Sequence, residues 1–127
     1  MDATDQAALV RKGEVTPLEL LEAAIERIER IDPVLNAVVI RWFDHARDTA
    51  RAELPDGSFR GVPFVIKDLF AGYAGQRISN GNLALKNENV ISDADTTLVS
   101  RYRAAGLVIA GRTNSPELGS VPTTEPV

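Results

Sequence analysis

Lys67 and Asp68 stand together at the end of an apolar run, Gly61-Val62-Pro63-Phe64-Val65-Ile66. A run of this length reads as a β-strand, along which side chains alternate between faces. Val62, Phe64 and Ile66 fall on one face, Pro63, Val65 and Lys67 on the other. Two readings of Lys67 are open. A lysine at a strand end can lay its methylenes along the sheet and keep its amine in water. A strand covered on both faces, as in a parallel sheet, would instead draw Lys67 inward. There the loss of hydration lowers an amine's pKa, and a neutral amine can accept a proton. The second reading requires Asp68 to bond elsewhere, because a carboxylate beside the ammonium would favour the charged form.

Few other residues compete for a chemical role. The chain has no cysteine, so disulfides, thiol catalysis and thiolate metal ligation are excluded. Its single histidine, His45, sits among Asp44, Arg47 and Asp48 on a charged helical stretch, where a solvated surface position is ordinary. No metal site is therefore expected. No phosphate-cradling glycine loop follows a strand, so no nucleotide or other cofactor is expected either. A formal net charge of -4 argues against nucleic acid as a partner. No apolar run approaches the roughly 18 residues of a membrane span, and no basic-then-apolar leader opens the chain. The default is a cytoplasmic protein without a membrane partner, and 127 residues suffice for one domain with a core.

The elements that must position Lys67 can be read in order. Residues 5–12 form a short helix that Gly13 stops. Thr16-Pro17-Leu18-Glu19 is a capping box with proline at the first helical position. Leu18, Leu21, Ile25 and Ile28, widened by Ala24 and Ile31, make an apolar stripe, Glu26 and Arg30 can pair one turn apart, and Asp32-Pro33 ends the helix. Residues 36–40 suggest a strand buried on both faces, and residues 44–54 a charged helix. Pro55-Asp56-Gly57-Ser58 turns the chain into the lysine strand. Residues 71–94 form a long loop with one helical turn near Leu83-Ala84-Leu85. Asp95 caps a helix whose Leu98, Val99, Tyr102 and Ala105 face inward and which Gly106 closes. Leu107-Val108-Ile109-Ala110 is a buried strand, parallel to the lysine strand through a right-handed crossover. Gly111-Arg112-Thr113-Asn114 leaves its C-terminal end, where open α/β sheets place their sites. Thr113 and Asn114 either bond around Lys67 or stabilise the turn before Pro116.

Gly61-Val62-Pro63-Phe64-Val65-Ile66-Lys67-Asp68 resembles the lysine motif of the amidase signature family. The segment from Arg103 to Gly119, with Gly111-Arg112-Thr113-Asn114-Ser115-Pro116 at its centre, resembles that family's next block. Thr16-Pro17-Leu18-Glu19-Leu20 and Pro33-Val34-Leu35-Asn36-Ala37 are similar to its N-terminal helix and the segment after it. Four blocks in the family's order cover nearly the whole chain. Pro122-Thr123-Thr124-Glu125-Pro126 is closest to members that hydrolyse nylon-type cyclic and linear oligoamides. One element departs from the pattern: Arg77 and Ile78 replace a proline and a threonine between Gly75 and Gly81.

The resemblance implies the N-terminal part of an α/β fold, incomplete here, with helices packed on a mixed sheet. Residues 1–127 would be a single partial domain, 1–32 its N-terminal helices and 36–127 the α/β part with the lysine strand. It also implies hydrolysis of a carboxylic amide by a serine nucleophile, a second serine held by a cis peptide, and a lysine. Lys67 matches that lysine, and a small-molecule amide is the implied substrate of the complete enzyme. The serine-bearing Gly-Gly-Ser-Ser-Gly-Gly block has no counterpart, and Ser79, Ser115 and Ser120 stand in the wrong context. The chain thus resembles the first third or so of an amidase and is expected to be inactive alone. The alternatives are a non-catalytic module that binds a partner chain, or itself, through an exposed sheet edge, and an amidotransferase subunit acting on aminoacyl-tRNA, from which the acidic balance leans away.

Overall fold

Two capped helices open the chain of the computed structural model, which describes residues 1–124. Asp2 caps α1 (Ala3–Lys12), and Gly13, left-handed at φ 71°, closes it. Thr16 and Glu19 cap α2 (Pro17–Leu35) reciprocally, with Pro17 in its first turn. The bonds run from the Glu19 N–H to Thr16 Oγ1 at 3.2 Å and from the Thr16 N–H to Glu19 Oε2 at 2.8 Å.

Helix α2 does not end at Asp32-Pro33 but continues to Leu35, with Asn36 left-handed at φ 49°. A proline in the last turn removes only one helical donor. The buried Asp32 carboxylate meanwhile gathers the turn after the helix. It accepts the N–H groups of Ala37 at 2.7 Å and Val38 at 2.9 Å, and pairs with Arg41 at 2.9 Å. The apolar stripe is narrower than predicted, because Ile31 is exposed. The charges of α2 reach across instead of along it, Glu22 holding Arg47 of α3 (Phe43–Arg51) at 2.7 Å.

Strands β1 (Val38–Arg41), β2 (Pro63–Lys67) and β3 (Val108–Thr113) form one sheet in the order β1-β3-β2. The β2–β3 pair is parallel, as predicted, and the β1–β3 pair antiparallel, so the sheet is mixed. β1 is not buried on both faces: it is an edge strand with Val39 and Arg41 exposed. β3 extends through Gly111, Arg112 and Thr113, which belong to the strand and not to the turn after it.

Helices α2 and α3 cover one face of the sheet with Leu21, Ile25, Ala46 and Ala50, joined by Leu54 just after α3, against Val108 and Ala110. On the other face Ile66 and Ile109 meet Trp42, Ala71, Tyr73 and Val99. Helix α4 (Leu83–Asn87) is the single helical turn expected near Leu83. Val99 belongs to α5 (Thr97–Ala104), whose cap is Thr96 and not Asp95. Asp95 instead accepts the Ala74 N–H at 2.8 Å and pairs with Arg103, tying the long loop to the helix. Leu98 faces solvent, so the inward side of α5 rests on Val99 and Tyr102. Among the described residues no helix is long and apolar enough to cross a membrane.

One irregularity in β3 sets which of its side chains share a face. Phe64 pairs with Ile109, but the next residue of β2, Val65, pairs with Gly111. Ala110 is thus an extra residue, a bulge that reverses the alternation beyond it. Ile109 and Arg112 thereby reach the same face, where strict alternation would separate them. Gly111 has no room for a side chain, since a Cβ there would meet the Ile40 carbonyl.

Candidate active site

Lys67 and Asp68 separate at the end of β2. Lys67, paired with Thr113 in the ladder, is exposed, whereas Asp68 is 2% exposed. The expectation that a covered sheet would bury Lys67 is not met in this chain, because β2 is an edge strand and α2 packs on its face without enclosing the lysine. The expectation for Asp68 holds. Its carboxylate turns away and accepts the Ser79 N–H at 2.9 Å, the Ser79 hydroxyl at 2.6 Å and the Gly81 N–H at 3.3 Å.

Arg112 is the counter-charge to Asp68 and is fully buried. Its Nε lies 3.8 Å from Asp68 Oδ1 and donates to the Arg77 carbonyl at 2.8 Å. Nη1 donates to the Lys67 carbonyl at 3.2 Å, and the guanidinium carbon lies 5.1 Å from the Trp42 ring centroid. Nη2 is buried without a hydrogen-bond partner among the described residues. Burial pushes the Arg112 pKa down to about 10 while Asp68 opposes the shift, so arginine remains the charged partner near neutral pH.

This pair anchors the loop that departs from the amidase pattern. Arg77 bridges antiparallel to Ile91, but the bonds of the bridge come from the Ile78 N–H to Val90 and the Ser92 N–H to Gln76. The Arg77 guanidinium reaches the Lys86 carbonyl at 2.7 Å. Gly81, at φ 66°, admits no side chain, since a Cβ would stand 2.5 Å from the Ser115 carbonyl oxygen. Asn80 joins two neighbouring segments, its Oδ1 accepting the Phe70 N–H at 2.9 Å and its carbonyl the Leu118 N–H at 2.8 Å. Phe70, Asn80 and Leu118 all hold φ near +50°, at 52°, 51° and 50°. Asparagine adopts this conformation readily, but in Phe70 and Leu118 it is strained and persists where surrounding bonds impose it.

Other candidates fall away from the lysine. Asn114 Oδ1 accepts the Ser115 N–H at 2.9 Å, and its own N–H bonds to Ala37 at 2.7 Å, which is the turn-stabilising reading. The Ser115 hydroxyl, fully buried, donates to the Pro116 carbonyl at 3.0 Å. Ser120 bonds to Glu117 in the short turn Glu117–Gly119. His45 is on the exposed side of α3, with Nε2 2.8 Å from the Tyr73 hydroxyl. Glu125 and Pro126 of the oligoamide-like tail lie outside the described residues.

Sequence reasoning missed Arg112, Trp42 and Ser79 as members of this cluster. Arg112 carried one usable signal, a charged residue inside a run of strand composition.

A family model for Amidase matches residues 19–127. The chain is 44% identical to the 6-aminohexanoate-cyclic-dimer hydrolase of Paenarthrobacter ureafaciens over 98% of its own length and 25% of the relative's. A solved structure of 6-aminohexanoate cyclic dimer hydrolase superposes with a TM-score of 0.92 at 44% identity, over 99% of this chain and 26% of that one. A bacterial aryl acylamidase of the amidase signature family superposes with a TM-score of 0.87 at 32% identity, over 98% and 27%. The chain spans about a quarter of the length of these relatives.

Proposed function

The chain belongs to the Amidase family, and from that premise we propose that Lys67 is the proton acceptor of a serine-dependent amide hydrolase. In this reading the neutral Lys67 amine takes a proton from a relay serine, which takes one from the nucleophilic serine. The nucleophile's oxygen attacks the amide carbon, and backbone N–H groups hold the developing oxyanion. The amine leaves with a proton, and water releases the acyl group. Both serines belong to sequence with no counterpart in residues 1–127. The chain by itself is therefore inactive toward amides. The substrate is a small carboxylic amide, and the 6-aminohexanoate-cyclic-dimer hydrolases favour an oligoamide with methylene spacers.

The observation that carries this reading is the division of labour at the end of β2. Asp68 is bonded to Ser79 and Gly81, and no salt bridge joins it to Lys67. The Lys67 amine is left exposed, and the rest of an amidase domain would cover and desolvate it.

The test joins residues 1–127 to the remaining three-quarters of the Paenarthrobacter hydrolase and measures hydrolysis of the 6-aminohexanoate cyclic dimer. The fusion should turn over substrate. Lys67→Ala and Lys67→Arg should both abolish turnover, since arginine does not deprotonate. A folded fusion that is inactive, or one whose activity survives Lys67→Ala, defeats the reading.

The outer edge of β2, with β3 as its only neighbour in the described sheet, favours a second reading. An open edge recruits further strands, so the chain would be a non-catalytic module that binds a partner chain or itself. Light scattering on the isolated chain decides the self-association: a monodisperse monomer at all concentrations excludes it.

A further inference from the structure

The peptide group between Lys67 and Asp68 is held at both ends. Its carbonyl accepts from Arg112 Nη1 at 3.2 Å, and its N–H, that of Asp68, donates to the Thr113 carbonyl at 3.0 Å. The same guanidinium holds the Arg77 carbonyl at 2.8 Å, and the Asp68 carboxylate holds Ser79 and Gly81. One buried charge pair thus ties the end of β2 to residues 77–81. Stability does not explain its presence, because apolar residues of equal volume are often as stabilising as a buried ion pair. What it supplies is direction. A lysine reaches its target on a flexible four-carbon stem, so the protein places the amine chiefly by fixing the backbone from which the stem departs. The bulge at Ala110 turns Arg112 to the face away from Lys67, so that it can grip that backbone without repelling the amine.

We infer that Arg112, balanced by Asp68, is a positioning residue for Lys67, holding the lysine's backbone and the loop from Arg77 to Gly81 in one arrangement. The inference rests on Lys67 being the proton acceptor. In a reaction that passes a proton along a chain of groups, a displacement of about 1 Å can cost on the order of 100-fold in rate.

Two measurements test it, both with Arg112→Lys, which keeps the charge but loses the fork that spans two carbonyls. In residues 1–127, amide hydrogen exchange should accelerate at Asp68, Ser79 and Gly81 by on the order of 10-fold, while amides of α2 keep their rates. Uniform acceleration, or none, overturns the inference. In the fusion with the Paenarthrobacter segment, kcat per folded enzyme should fall by on the order of 10- to 100-fold with KM unchanged. The acid limb of the pH–rate profile should also move, whereas a loss of folded enzyme would only scale it. If Lys67→Ala abolishes turnover but Arg112→Lys keeps wild-type kcat and profile, the positioning role is wrong and the role of Lys67 stands. If Lys67→Ala leaves turnover intact, both fall.

Discussion

The two faces of the sheet are built on different physics. Toward α2 and α3 the contacts are aliphatic: Leu21, Ile25, Ala46, Ala50, Val108 and Ala110 exclude water and need no partner atoms. On the opposite face, beyond Ile66 and Ile109, a carboxylate, a guanidinium and a serine hydroxyl are buried together, the guanidinium over the Trp42 ring. The aliphatic side gains from area alone and tolerates changes of shape. The charged side depends on every member being present, because a buried ion left alone is far more costly than an absent pair. The first kind of packing suits a scaffold, the second a place where one backbone arrangement must be selected.

The sharpest way to break this contrast is Asp68→Ala. It leaves Arg112 buried without its counter-charge and should destabilise the chain by about 3–5 kcal/mol, read as a fall in urea midpoint. Adding Arg112→Met to Asp68→Ala should recover only the part of that loss due to the unpaired charge, since Ser79 and Gly81 still lack their acceptor. A single variant as stable as the double would mean that the charges do not act as a pair. On the aliphatic side Leu21→Ala, at a fully buried site, should cost about 3 kcal/mol, with no charge partner whose removal rescues it.

Asp32 lies between the two kinds. Burial alone would raise its pKa, but the Val38 and Ala37 N–H groups and Arg41 outweigh burial and hold it below 3.8. A lowered folded-state pKa contributes stability that is fully present above the unfolded value and is lost as pH falls through the folded one. Asp32→Asn should therefore cost about 2 kcal/mol at neutral pH, and its gap from wild type should narrow below pH 3.8. A gap that stays constant from neutral pH down through that range would contradict the assignment. The smallest effect belongs to Lys67→Ala, which should shift stability by less than about 0.5 kcal/mol, since its exposed side chain forms no salt bridge among the described residues. A larger loss in a urea titration would make Lys67 a structural residue.

Periodic and local features were legible because neighbours along the chain suffice for them. The Thr16–Glu19 capping box and the Gly13 and Gly106 stops arose from short-range patterns, and the parallel β2–β3 pair followed from the strand, helix, strand order. The errors arose where a distant group changed a local preference. Helix α2 outlasted Pro33 because Asp32 found partners at Ala37, Val38 and Arg41. Asp95 gave up its capping role because Ala74 and Arg103 claim its carboxylate. Lys67 stayed exposed because β2 is an edge of the described sheet.

By itself the sequence determined the strand that carries Lys67, its parallel neighbour and the opposed directions of Lys67 and Asp68, since strand alternation is a property of the backbone. Only the tertiary structure decided where Asp68 and Arg112 end. A bulge of one residue at Ala110 reverses the side to which Arg112 points, and no composition of the strand announces it. The partners that make a buried charge tolerable stand 11 residues from Asp68 at Ser79 and 45 residues from Lys67 at Arg112. The free energy of that arrangement is a joint property of groups that meet only when the chain has folded.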